Sequence, residues 1–145
     1  MTNEQRFKFT DLDKKNLPVT VGKKVNGFRF YEIDGKAYPS ITTVLSIRSK
    51  EGLQKWRDSI GEKVANWEMN RAARRGKATH TLVEQYIKNE TPSIRDVLPL
   101  GLFKLLKPYI DQIDNIHLLE AIMFSHKLTI AGQVDCVAEY NGKLS

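Results

Sequence analysis

Two stretches near the C-terminal end limit what this chain can fold into. Residues 116–126 (I-H-L-L-E-A-I-M-F-S-H) and 130–140 (I-A-G-Q-V-D-C-V-A-E-Y) are apolar on both faces of an extended backbone. Strands of that kind lie buried within a sheet. Each is interrupted by an acid, Glu120 in the first and Asp135 in the second. A two-residue connection at Lys127-Leu128 would set Glu120 opposite Asp135, within about 5.5 Å on adjacent strands. Asn141-Gly142 then marks a tight hairpin turn. The turn pairs 140 with 143, so the position facing Asp135 from the returning strand falls three residues past Ser145.

The rest of the chain supplies a small hairpin and several helices. Residues 28–33 (F-R-F-Y-E-I) and 36–38 (K-A-Y) flank Asp34-Gly35, which predicts a β-hairpin with a two-residue turn. Ser40 follows as an N-cap for a short helix through Ile41, Val44 and Leu45. Residues 51–60 read as a further helix, ended by Gly61. Residues 62–89 hold a long helical pattern through Val64, Trp67, Ala72, Leu82, Val83, Tyr86 and Ile87, with Gly76 as a point of interruption. A loop bracketed by Pro92 and Pro99 leads to a helix over 100–114, bent near Pro108. Trp56 and Trp67 recur among apolar residues at helical spacing, which predicts core positions rather than base-stacking platforms. Lys23 and Lys24 fall in a loop. The order is an N-terminal hairpin, a helical middle and a C-terminal meander, an α+β layout.

A chain of 145 residues fits one domain, expected over 18–145 after a polar, loosely ordered segment at 1–17. Hydrophobic residues make up 41% and charged residues 28%, as in soluble globular proteins. No apolar run reaches the length of a membrane span, and residues 1–8 lack the apolar core of a secretory signal. One cysteine, Cys136, cannot close an internal disulfide, which points to a reducing, intracellular setting. The net charge of +6 favours polyanionic partners such as nucleic acid.

Three groups of residues offer chemistry. Glu120 and Asp135 facing each other would repel unless a cation or a shared proton sat between them; edge positions, or pairing with a nearby lysine or arginine, are the alternative. Gly76, His80 and Glu84 are four apart and share one helix face. A glycine one turn before His80 permits close approach of a ligand or another backbone. Arg71, Arg74, Arg75 and Lys77 precede the histidine, either as a solvated helix face or as a phosphate-contacting patch. His117 and His126 alternate with apolar residues and are assigned no role.

Four segments together resemble a known family: Y-P-S-I-T-T-V-L (38–45); R-G-K-A-T-H (75–80) leading to Glu84; Glu120; and A-G-Q-V-D (131–135) through Lys143-Leu144. In this order and spacing they resemble the RecB-like exonuclease branch of the PD-(D/E)XK nuclease superfamily, which includes the mitochondrial genome maintenance exonuclease and related phage exonucleases. The resemblance covers residues from about 28 to the end. It implies a restriction-endonuclease-like α/β core in which a mixed sheet holds a Mg²⁺ or Mn²⁺ site. It implies Asp135 as a metal-binding catalytic acid, His80 as a helix-borne metal ligand and Glu120 as a further acid. It also implies DNA, single-stranded or with a free end, as the partner. Arg71, Arg74, Arg75, Lys77, Ser40 and Thr42 are then expected at the nucleic acid.

The sequence departs from the family where the returning strand should carry Asp/Glu-x-Lys. In the family that acid is the second metal ligand, and the lysine positions water or stabilises developing charge. Neither occurs after Asp135 within these residues, and the family's glutamine-bearing helix is missing too. The resemblance thus implies a nuclease domain incomplete at its C-terminus and impaired as it stands. A non-catalytic nucleic-acid-binding remnant of the same fold is the alternative.

Overall fold

Three X-Gly dipeptides build the hairpins. In the computed structural model, which describes residues 6–10 and 20–145, Asn26-Gly27, Asp34-Gly35 and Asn141-Gly142 each place two successive residues at positive φ. Only a glycine accepts the second position without strain, and such turns match the twist of the strands they join. The expected loose segment at 1–17 lies, apart from residues 6–10, outside the described residues.

The first two turns join β1 (Val21–Val25), β2 (Phe28–Ile33) and β3 (Lys36–Pro39) into an antiparallel sheet. Ile33 pairs with Lys36 across Asp34-Gly35, as the sequence predicts. Lys23 and Lys24, expected in a loop, lie instead on β1, where Lys23 Nζ donates to Glu32 Oε2 at 2.6 Å. The Asn26-Gly27 dipeptide, a turn signal that the loop expectation overlooked, joins that strand to β2. The third turn pairs Tyr140 with Lys143 and Glu139 with Leu144, joining β5 (Ile130–Tyr140) to the short β6 (Lys143–Leu144). β4 (Ile113–Ser125) lies beside β5, giving a second three-stranded sheet in the order β4-β5-β6. The β4–β5 connection is a four-residue turn over 126–129 with Thr129 at positive φ, not the two residues Lys127-Leu128. Lys-Leu lacks a residue that tolerates the left-handed region, so the turn widens.

Three helices occupy the middle. α1 (Ile41–Ile60) is continuous, where a short helix and a separate one over 51–60 were predicted. α2 (Glu62–Ile87) begins after Gly61, at φ 84°, and passes through Gly76 without a break. α3 (Val97–Ile110) starts earlier and ends earlier than predicted, with Pro99 in its first turn. Proline is tolerated there because the first amide groups of a helix have no partner within it. Among the described residues the architecture is α+β: three helices and two small antiparallel sheets, rather than one mixed sheet. Among the described residues, no helix is long and apolar enough to cross a membrane.

The described chain gathers into two units, divided within α1, β4 and β5. The first comprises 6–10, 57–116 and 138–145. Its core includes Phe7, Ala65, Leu82, Ile87, Phe103 and Ile116. The Asn89 carboxamide oxygen accepts from the Arg6 and Phe7 amides at 2.9 and 3.1 Å, and its nitrogen donates to the Phe7 carbonyl. Residues 8–10 then bond to the backbone of Ile116. Asp111 completes this attachment. It accepts from Tyr86 Oη at 2.6 Å and Lys107 Nζ at 2.9 Å, and it pairs with Arg6 at 2.7 Å. Burial pushes the Asp111 carboxyl up, but the bonds from Tyr86 and Lys107 and the charges of Arg6 and Lys107 outweigh it and hold the carboxyl below its ordinary range.

The second unit comprises 20–56 and 117–137. Tyr31, Ile33, Tyr38 and Ala131 form its buried cluster, with Ile122 and Phe124 packed against them. Ser40 is buried and caps α1: its Oγ accepts from the Thr43 amide at 3.0 Å. Ser40 also forms a parallel bridge with Ala131, which brings the start of α1 onto β5. A Cβ on Gly132 would stand 2.9 Å from Ile41 Cγ2, so the Ala-Gly pair is set by close packing.

Two outcomes follow for stability. Because the Asp111 carboxyl is depressed, its contribution is present above the unfolded carboxyl range near 3.9 and is lost as pH falls through the folded value. Asp111→Asn should destabilise the protein by about 1–2 kcal/mol at pH 7, with the difference closing below about pH 4; thermal unfolding across pH checks this. Gly132→Ala should cost about 1–3 kcal/mol through overpacking. Adding Ile41→Ala should cost less in that background than alone, and chemical denaturation of the four variants measures the coupling.

Candidate functional site

The second unit presents a pair of carboxylates. Asp135 is exposed on β5 and Glu120 is half-buried on β4, and each offers an oxygen within 4.8 Å of the other's. The facing arrangement expected from strand pairing is therefore met in space, although the turn between the strands is not the predicted one. Glu120 sits at φ 51°. A non-glycine residue in the left-handed region is uncommon inside a strand, and such residues cluster where side chains are re-aimed at sites.

Gln133 completes the local geometry. Its Nε2 donates to Glu120 Oε2 at 2.7 Å, fixing one oxygen. The sequence reading did not single out Gln133, yet the signal was available, since residues two apart on a strand share a face and 133 accompanies 135. Two carboxylates at this separation repel by about 1 kcal/mol in water and by more at lower dielectric. A divalent cation between them would turn that repulsion into attraction. Beside Asp135, burial first and the Asp135 charge second push the Cys136 thiol up. That thiol is kept protonated and is a poor nucleophile.

The first unit carries the remaining expected residues on α2. His80 is exposed, one turn after Gly76, and Glu84 lies one turn further and pairs with Lys88. Glycine at 76 has open space where a side chain would stand. Thr79, beside His80, is buried and donates from Oγ1 to the Arg75 carbonyl at 2.9 Å, which anchors this turn of the helix. Arg71, Arg74 and Lys77 are exposed and Arg75 is half-buried. Arg71, Arg74 and Arg75 border a hollow that also includes Asp96 and Pro99 at the start of α3.

Several expectations change. Trp56 and Trp67, predicted for the core, are 39% and 55% exposed. Val64, the apolar neighbour of Trp67 at helical spacing, is itself exposed. Helical spacing places residues on one side of a helix but does not say that anything covers that side. Ser40 lies in the core as the cap of α1, whereas Thr42, also expected at nucleic acid, is exposed in the first turn. His126 accepts no chemistry of its own here: its Nδ1 is 2.7 Å from Tyr38 Oη, within the Phe124–Tyr38 aromatic group.

None of the protein-family models compared with the chain matches it, and none of the curated proteins does.

Proposed function

We propose that this protein is a metal-dependent deoxyribonuclease of the RecB-like PD-(D/E)XK type, built on a restriction-endonuclease-like core and acting on DNA from an end. The observation that carries the reading is the carboxylate pair of Glu120 and Asp135, with oxygens within 4.8 Å on neighbouring strands. The four sequence segments that resemble the family support it, since Asp135 falls at the family's metal-binding acid. The same resemblance implies His80 as a helix-borne metal ligand.

The donor set fits the cation. Carboxylate oxygens suit hard divalent ions such as Mg²⁺, and an imidazole nitrogen tilts preference towards Mn²⁺. Such an ion, when bound, activates water and neutralises charge on the scissile phosphate. The chain's own residues supply the rest. Asp135 and Glu120 provide the negative charge that holds the cation. Gln133 ties down one Glu120 oxygen and so orients the other. Arg71, Arg74, Arg75 and Lys77 neutralise phosphates of the bound strand. The working setting is intracellular and reducing, in keeping with the lone thiol of Cys136.

The basic run of α2 favours a second reading. Four cations between 71 and 77 also fit a nucleic-acid-binding protein of the same fold without turnover.

Titration with Mn²⁺ tests both. Asp135→Ala and Glu120→Ala should each weaken Mn²⁺ binding by at least about 10–100-fold, and His80→Ala by less. Cleavage of end-labelled single-stranded DNA that is lost in Asp135→Ala selects the nuclease. Metal binding without cleavage, together with salt-sensitive DNA binding, selects the second reading. Mn²⁺ affinity unchanged in both acid variants overturns the proposed centre.

A further inference from the structure

The side of α2 turned away from its core carries an exposed indole beside the basic run. Ala65 is fully buried and marks the core-facing side. At 100° per residue, Trp67 and Arg74 lie about 200° and 180° around the helix from it. Trp67 nevertheless exposes 55% of its surface. It borders a hollow of about 490 Å³ with Asn70, Ala73, Arg74 and Lys77. Arg71, outside that hollow, sets its guanidinium 4.5 Å from the centre of the Trp67 ring. The indole is thus steadied by a cation while it still borders the hollow.

Charge selects the partner. Residues 67–77 contain four cations, Arg71, Arg74, Arg75 and Lys77, and one acid, Glu68. That acid is paired with Arg71 at 3.3 Å. A polyanion is therefore favoured, and the open aromatic ring asks for a partner with flat, unstacked faces. Duplex DNA hides its base faces, whereas a single strand presents them, and base stacking on aromatic side chains tolerates any sequence. The distance from Trp67 to Lys77 along the helix is about 15 Å, the axial length of about four nucleotides at a rise of 3.4 Å each.

We propose that this face of α2 is a track for single-stranded nucleic acid, in which Trp67 stacks on a base while Arg74 and Lys77 hold the neighbouring phosphates. The inference rests on the nucleic-acid reading above and adds where the strand is gripped and in what form. It requires no metal.

Fluorescence anisotropy of a dye-labelled oligothymidylate of about 20 nucleotides, in EDTA, tests it on the 145-residue chain. Trp67→Ala should weaken binding about tenfold with its salt dependence unchanged, and Trp67→Phe should restore most of the loss. Arg74→Ala with Lys77→Ala should lower the slope of log affinity against log salt by about 1.4. An abasic oligomer of the same length should bind the unsubstituted chain and Trp67→Ala alike. Equal affinity of Trp67→Ala and the unsubstituted chain for oligothymidylate overturns the track. So does polyglutamate binding that falls by the same factor in Trp67→Ala. Should Trp67→Ala fail to fold, by circular dichroism, Arg74→Glu decides: unchanged binding overturns the proposal. Loss of the Mn²⁺ centre with Trp67-dependent binding intact would overturn the nuclease reading alone.

Discussion

The parallel bridge between Ser40 and Ala131 is the contact on which the second unit depends. It joins the end of the first sheet to the strand that bears Asp135. Ser40 is at once the last residue of that sheet's reach, with its amide bonded to the Arg29 carbonyl, and the cap of α1. Its hydroxyl must satisfy the Thr43 amide because the site is buried and water cannot. Ile41 then lies over Gly132 with no room for a side chain. Small residues at 131 and 132 are the condition for this approach, and the approach fixes the strand that carries the acid.

The carboxylate centre follows from two different kinds of constraint. Strand pairing brings β4 and β5 side by side, which is a matter of backbone hydrogen bonding and sequence order. The aim of Glu120 depends on a single left-handed residue and on the amide of Gln133. The first constraint tolerates a change of turn, which is why the acids meet even though the connection is four residues long. The second is local and gives the site its shape. Two carboxylates held this close repel, and a cation between them would offset that repulsion.

The first unit is organised around a different charge arrangement. Asp111 gathers a tyrosine, a lysine and an arginine, and through Arg6 it holds residues 6–10 against α2 and α3. Phe7 packs edge-on to Tyr86, and Tyr86 to Phe103. These contacts orient α2 by one side and leave the opposite side, with Trp67 and its neighbouring cations, open to solvent. The basic run and the exposed indole thus share a face because the buried face is elsewhere.

The hairpins at Asp34-Gly35 and Asn141-Gly142, the start of α1 at Ser40, the long α2 and the two-strand meander were legible because each rests on local rules: X-Gly turns, an N-cap, and apolar residues at helical or strand spacing. The pairing of Tyr140 with Lys143 is read directly from Asn141-Gly142, since a two-residue turn leaves one register. The meeting of Glu120 and Asp135 was legible from two apolar strands adjacent in the sequence, although the two-residue connection used to pair them is a four-residue turn, whereas the role of Gln133 required the side chains in place. Burial was the least legible quantity. Trp56 and Trp67 have the spacing of core residues, and only the tertiary structure decides that Ala65, Leu82 and Ile87 are covered and the tryptophans are not. Sequence alone determined where the backbone turns, caps and pairs, because those are short-range preferences of single residues. Tertiary structure decided which faces are covered, because burial depends on what the distant parts of the chain bring against them.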